Sequence, residues 1–222
     1  MTTASATFLN LPADKRERFI AAALEEFASH PYDTASVTRI VAELGIAKGS
    51  VYQYFKNKFG LFEYLVSLAT EREMEWHEQH PADPGLGFQD RVRAMVVSGL
   101  SWALLEPRWA RVGLRAMEQS KEPRLQALRK MQLETGHAYT VGMLTEAVAR
   151  GEIRGDLDLE LVASFVGSMF TGGLMDALTR QSGVELSDLA DDPDLGRTLS
   201  ELHLERVVDG ALVLIMQGLA SR

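Results

Sequence analysis

The chain has 222 residues, 46% of them hydrophobic and 24% charged, enough for one large domain or two small ones around a sizeable core, and a composition that argues against disorder, collagen-like repeats and a membrane barrel. It contains no cysteine, which excludes disulfides, thiolate catalysis and cysteine metal sites. The formal net charge of -8, taken alone, speaks against a nucleic-acid partner, because phosphate contacts need lysine and arginine.

In chain order, the first eleven residues lack the basic and apolar regions of a secretory signal. Phe19, Ile20, Ala23, Leu24 and Phe27 then repeat at helical spacing and predict a helix over 12–29, stopped by His30-Pro31. A short helix over 36–43 ends at Gly45, a second covers 48–54, and Asn57 suits the N-cap of a long helix over 58–79. The turn-forming run from Pro81 to Gly87 marks an internal boundary. Beyond it, Phe88, Val92, Met95, Val96, Gly99 and Trp102 mark one face of a helix over 88–105, and a short helix over 108–119 follows Pro107. Pro123 opens a helix over 123–150 with two opposed apolar rows, Leu128, Met131, Ala138 and Gly142 against Leu133, Val141, Leu144 and Val148, which implies burial on both sides. Residues 151–156 form a turn, Asp158 caps a helix over 159–181, residues 182–197 form a polar loop, and Thr198 with Glu201 reads as a capping box for a last helix over 199–220. This is an all-α chain of about nine helices with almost no β signal. The apolar stretches 162–170 and 211–216 are far shorter than the roughly 20 residues of a membrane span, so a cytoplasmic protein without a membrane partner is expected.

The two short helices over 36–54, joined at Gly45, with Ile40 and Val51 facing a shared core, form a helix-turn-helix pattern. The second helix of such a unit enters the major groove, and its solvent side here offers Ala47, Lys48, Ser50, Gln53 and Tyr54. Lysine contacts guanine or phosphate, glutamine pairs with adenine, and Gly49 lets the backbone come close. Through Phe27, Ser36, Ile40, Gly45, the run from Lys48 to Tyr52, Tyr54, Phe55, Lys58 and Leu61, residues 12–62 resemble the tetracycline-repressor (TetR) family of bacterial transcription regulators. Pro31, Val41 and Ala47 depart from that family's usual glycine, alanine and serine or threonine, and the cap hydroxyl missing at Ala47 is worth about 1 kcal/mol of helix stability.

The resemblance implies that Ser36, Thr38 and Arg39 touch phosphates, that Lys48, Ser50, Gln53 and Ala47 face bases, and that Tyr52, Tyr54 and Lys58 pin the DNA backbone. Tyr52, Tyr54 and Phe55 suit a core role as well. It further implies a DNA-binding domain over 1–57 and, over 58–222, a helical domain that dimerises and holds a small-molecule effector. Rows of small residues beside bulky ones support the first of these roles: Leu161, Ser164, Phe165, Ser168 and Gly172 on one helix, and Leu202, Val207, Gly210 and Leu214 on the last. Candidates for an apolar effector site are Met95, Trp102, Trp109, Leu114, Met117, His137, Tyr139 and Met143, with Arg115 and Thr135 as further polar handles; taken singly, methionine and tryptophan at helical spacing are more often plain core, and it is the set that suggests a cavity. Glu73, His77 and His80 have the spacing of a metal site but read better as a solvated helix end, so no metal or cofactor is expected. No phosphate loop, nucleophile elbow or paired carboxylates give an enzyme residues to stand on.

The expected protein is therefore a homodimeric repressor, released from a near-palindromic double-stranded operator by a largely apolar ligand. A ligand-independent or activating regulator of the same fold, or more distantly a helical enzyme or scaffold with a vestigial head, are the alternatives. The charge agrees once it is resolved along the chain: residues 1–60 carry +1, residues 61–222 carry -9, and the stretch from Arg39 to Lys58 carries +3.

Overall fold

The structure is a computed structural model; it describes residues 4–83, 85–184, 188–189 and 192–219, and the side chains of residues 170, 171, 193, 201 and 202 lie outside the description. The described elements are α1 (Ala6–Leu9), α2 (Ala13–Ser29), α3 (Val37–Leu44), α4 (Lys48–Tyr54), α5 (Lys58–Gln79), α6 (Phe88–Leu105), α7 (Pro107–Ala116), α8 (Pro123–Ala149), α9 (Leu159–Ser168), α10 (Leu174–Ser182), α11 (Pro193–Leu199) and α12 (Glu205–Leu219). Single π turns, Met169–Gly173 and Ser200–Leu204, join α9 to α10 and α11 to α12, the first of them kinked at Gly172, whose φ of 170° and ψ of -28° are not helical. No strand occurs among the described residues, and the chain is all-α as expected.

The helix starts show why these residues form these elements. Asn57 Oδ1 accepts from the Gly60 amide at 3.0 Å and Asp158 Oδ1 from the Leu161 amide at 3.1 Å, each satisfying an amide that the helix leaves open. The start expected at 199 is corrected: the helix begins at Pro193, where the Asp192 carboxylate accepts from the Asp194 and Leu195 amides at 3.0 and 3.4 Å. A capping aspartate followed by proline at the first helical position wins over Thr198, whose hydroxyl donates inside the helix to the Asp194 carbonyl at 3.0 Å. The Glu201 side chain of the expected capping box lies outside the described residues.

The chain divides into two compact units, one formed by the chain up to Glu75 together with Arg108–Lys130, the other by Trp76–Pro107 together with the chain from Met131 on. The first thus extends past residue 57 and takes in α7 with the start of α8.

The first unit is built around aromatic rings. Phe8, fully buried, has ring centroids of Phe19, Tyr54, Phe55 and Tyr64 between 4.8 and 5.6 Å from its own. It is delivered by α1, where Ser5 Oγ accepts from the Phe8 amide at 3.3 Å and the Ser5 amide donates to the Tyr54 carbonyl at 2.9 Å. A second cluster joins Phe27, Tyr32, Phe59 and Phe62. Between α2 and α3 lies one buried charge: Glu26, 7% exposed, accepts from the Ser36 amide at 2.7 Å and pairs through both carboxylate oxygens with Arg39. Burial pushes its carboxyl up, but the Arg39 and Ser36 hydrogen bonds and the charges of His30 and Arg39 outweigh it and leave it below the ordinary carboxylate value.

In the second unit, Phe88, Val92, Val96 and Leu104 of α6 meet Leu144 and Ala147 of α8 and the apolar sides of α10 and α12. The turn after α8 starts α6 from a distance: Glu152 accepts from the Phe88 amide at 3.2 Å and pairs with Arg91 at 3.1 Å. Gly196 is required by a close approach, since a Cβ there would stand 2.1 Å from the Leu104 carbonyl oxygen. The two-sided burial expected of α8 is corrected: Met131, Leu133, Ala138, Tyr139 and Gly142 are exposed, and only the C-terminal part of the second row reaches the core. The first row ends in Ala138 and Gly142, which have little apolar surface to bury.

Two stability measurements follow from the first unit. Phe8→Ala should lower unfolding free energy in denaturant titrations by about 3–5 kcal/mol, the cost of emptying a buried phenylalanine site. Glu26→Gln should cost about 1–3 kcal/mol near neutral pH. Because the folded carboxyl is depressed, the stability it contributes is present above its unfolded value and lost as pH falls through the folded one. The difference between wild type and Glu26→Gln should therefore shrink as pH is lowered from 4.5.

Candidate nucleic-acid interface

The α3-turn-α4 unit closes on Ile40 and Val51, each 1% exposed. Gly45 ends α3 at φ 66°, the left-handed conformation that favours glycine, and the Ile46 amide reaches back to the Val41 carbonyl at 3.1 Å. With that core closed, α4 turns its other side to solvent. Ala47, Lys48, Gly49 and Gln53 are exposed, Tyr52 is half exposed, and Ser50 is half-buried. Ala47 stands at the N-cap with no side-chain hydrogen bond, as its methyl group requires. Lys48 Nζ donates to Thr38 Oγ1 at 3.2 Å, tying the start of α4 to the first turn of α3.

The expected phosphate contacts divide into two groups. Thr38 is exposed on α3, and Ser36, half-buried, is the N-cap of that helix without a side-chain cap bond. Arg39 is engaged within the unit: Nε and Nη2 serve Glu26, and Nη2 also donates to the Thr34 carbonyl at 3.0 Å. Lys58 likewise turns inward. Its Nζ donates to the Tyr32 and Ala35 carbonyls at 2.7 and 3.0 Å and lies 4.4 Å from the Tyr32 ring centroid. Burial pulls the Lys58 ammonium below the ordinary lysine value, against the charges of Asp33, Glu122 and Glu26. Tyr54 packs its ring against Phe8 and Phe19, and Phe55 is buried. Glu26 is the residue that sequence reasoning missed. Its signal was a carboxylate one turn along from Ala22 and Ala23 and beside Phe27, on the face of α2 that is otherwise apolar.

The effector candidates fall in both units. Trp109 is buried in the first unit beneath the Arg72 guanidinium at 4.7 Å, Met117 is half-buried there, and Leu114 is exposed. Arg115, a possible handle, is buried and bonded within that unit, while Thr135 on α8 is exposed. In the second unit Trp102 is buried 6.3 Å from the Trp76 ring, Met95 and Met143 are half-buried, and the exposed Tyr139 points its hydroxyl at Met95 Sδ, 3.9 Å away. His137 Nε2 lies 2.7 Å from Glu160 Oε2.

Of the dimer candidates, Leu161, Ser164, Phe165, Ser168 and Gly172 are exposed on α9 and the π turn, and Gly210 and Leu214 on α12. Val207 instead lies in the core of its own unit, and the Leu202 side chain lies outside the described residues. His77 Nδ1 is 2.9 Å from Ser98 Oγ, and His80 stacks on Trp76 with Nδ1 2.9 Å from that residue's carbonyl oxygen.

Comparison with known proteins matches this geometry. The family pattern described as bacterial regulatory proteins, tetR family, fits residues 19–65. A solved TetR family transcriptional regulator from Chloroflexus aurantiacus is similar over 99% of this chain and 100% of its own, with a TM-score of 0.84 and 28% identity. The chain is 28% identical over 154 residues to the fatty acid metabolism regulator protein of Bacillus subtilis, covering 68% of this chain and 77% of that one. It is 27% identical over 161 residues to the transcriptional repressor KstR2 of Mycolicibacterium smegmatis, covering 70% and 75%. With the helix-turn-helix in place and these relatives on both counts, the chain belongs to the TetR family and is a DNA-binding transcriptional regulator.

Proposed function

We propose that the protein is a homodimeric repressor that leaves a near-palindromic operator when a largely apolar small molecule binds, with residues 1–57 reading DNA and residues 58–222 dimerising and holding the effector. The observation that carries the reading is the solvent side of α4, where Lys48 and Gly49 and, about one turn further on, Gln53 stand exposed while Ile40 and Val51 seal the opposite side. A helix end with a cation, a glycine and an amide is equipped for phosphate, close backbone approach and an adenine edge in the major groove. Thr38, Ser36 and Tyr52 would add backbone contacts, whereas Arg39 and Lys58 act by holding the reading head in shape.

Dimerisation is supported by bare apolar surface. Leu161 and Phe165 of α9 are 55% and 70% exposed, and Val213 and Leu214 of α12 are 51% and 71% exposed. Side chains of this size left in water beside small residues favour a partner helix. The effector would sit among Met95, Trp102 and Met143 of the second unit, and the name of the Bacillus subtilis relative, a regulator of fatty acid metabolism, agrees with an apolar ligand.

The test is selection of duplexes from fragmented genomic DNA by the full chain, followed by binding measurements on a selected duplex and a scrambled one. Gln53→Ala should relax preference at one base-pair position by about 1–3 kcal/mol. Lys48→Ala should weaken the selected duplex and lower its salt slope by about 1. If Gln53→Ala affects every sequence equally, Gln53 is not a base reader. Leu214→Glu should convert dimers to monomers in sedimentation and abolish tight binding to the selected duplex while leaving the helical content intact.

A further inference from the structure

The α7 helix carries Arg108, Arg111 and Arg115 at spacings that place them along one side, and all three address α2. Arg108 Nε pairs with Glu25 Oε2 at 2.7 Å, while Arg111 Nε and Arg115 Nη2 each donate to the Ala28 carbonyl at 3.2 Å. That carbonyl is among the last four of α2, which have no partner inside the helix, and a helix C-terminus attracts cations. The contact is therefore a cap on α2 supplied by a helix some eighty residues away in sequence.

The cap is not at its hydrogen-bonding optimum. Arg115 is buried, its Nη1 is bonded to the Glu118 carboxylate, and its Nε is buried with no hydrogen-bond partner among the described residues. Two guanidinium groups also share one carbonyl oxygen, and burial with the neighbouring Arg115 charge pulls the Arg111 guanidinium below its ordinary value. A buried donor left open and two like charges side by side cost free energy, which the ion pairs to Glu25 and Glu118 and the burial of Trp109, Val112 and Ala116 on α7 offset.

On the other side of the same turn of α2 stands Glu26, two residues before Ala28. Its carboxylate takes the Ser36 amide and the Arg39 guanidinium from the first turn of α3, and Thr38 of that turn receives Lys48 of α4. One helical turn thus holds α7 by its carbonyl and α3 by its side chain, and every member of this series lies in the first compact unit. We infer that Arg115 is a positioning residue for DNA recognition: through the last turn of α2 it sets the placement of α3 and, by way of Thr38, of the reading end of α4. The inference rests on the DNA-reading role proposed above, and it gives α7 a means of reporting on the head that does not pass through α5.

The experiment uses the full chain with two probes of equal length, a duplex selected by the wild-type protein and its scrambled counterpart, at one salt concentration. The readout is the ratio of the two affinities, which loss of folded protein alone does not change. Arg115→Met should lower the ratio about tenfold, and Arg115→Lys, which keeps a cation beside the C-terminus of α2, should stay within about threefold of wild type; couplings of this size are usual within one hydrogen-bond network. Glu26→Gln should lower the ratio similarly, and the double variant should be no worse than the poorer single one. Fully multiplicative effects, or an unchanged ratio in Arg115→Met, overturn the inference. Should Arg115→Met not fold, Glu118→Gln, which removes the carboxylate charge beside Arg115 without emptying space, carries the test: a two- to threefold fall in the ratio is expected on the same grounds, and no change overturns it. A wild-type protein that binds both probes equally overturns the DNA-reading role itself, and this inference with it.

Discussion

A carboxylate taken out of water must be surrounded by cations and amide hydrogens, and this requirement at Glu26 governs how the reading head is put together. The side chain has one amide and one guanidinium within hydrogen-bonding distance, both contributed by the start of α3, with His30 Nδ1 of the same helix end at 3.6 Å. Moving α3 by the length of a hydrogen bond would strand the charge, so α3 has one favourable position against α2. Position in α3 is then passed to α4 by the shared apolar core of Ile40 and Val51 and by the bond between Thr38 and Lys48. A core of rings alone tolerates sliding, because dispersion contacts are numerous and weak. The buried charge adds direction to that core.

The same economy explains what the basic residues of the head do. Between Arg39 and Lys58 the chain carries four cationic side chains, yet Arg39 is paired with Glu26 and Lys58 with the carbonyls of the loop between α2 and α3. Lys48 and Lys56 are exposed, and Arg39, though exposed as well, has its guanidinium held by Glu26. Local charge in the sequence therefore overstates the charge presented to a phosphate backbone. A head with few outward cations binds weakly by itself, and two heads joined through the bare faces of α9 and α12 would recover affinity by raising the effective concentration of the second contact.

Much of this was legible from the sequence, and the exceptions share a cause. Helix starts at Asn57, Pro123 and Asp158 are written in local chemistry, a capping side chain or a ring that fixes φ, and they fall where expected. The helix-turn-helix was legible because glycine at a left-handed turn and two apolar residues at fixed spacing are local too. What escaped depends on distant partners. The single turn of α1 is too short to show a period, although it delivers a fully buried ring to the head. Glu26 meets its partners ten and thirteen residues later, and Arg115 meets Ala28 across eighty-seven. Lys58 and Tyr54 carried motif roles toward DNA, but their donors and rings found closer company inside the unit. The first row of α8, exposed from Met131 on, shows the reverse error, in which apolar spacing was read as burial where Ala138 and Gly142 offered too little surface to drive it.

Task and packing consequently divide the chain at different places. Residues 1–57 hold every side chain proposed to meet DNA, whereas the compact unit around them also needs α5 to Glu75 and the segment Arg108–Lys130, which returns after a stretch belonging to the second unit. The returning segment brings the arginines that satisfy the C-terminal carbonyl of α2, and it fixes the loop after α2 as well, where Ser120 Oγ and the Lys121 amide hold the Asp33 carboxylate at 2.7 and 3.1 Å. Closing so long a loop costs entropy that grows only slowly with its length, and the contacts that close it are polar and directional. They do little that a larger apolar core could not do for stability alone. Their effect is to make the geometry of α2 depend on residues outside the DNA-reading segment, as a regulator requires if events elsewhere in the chain are to reach its recognition helix.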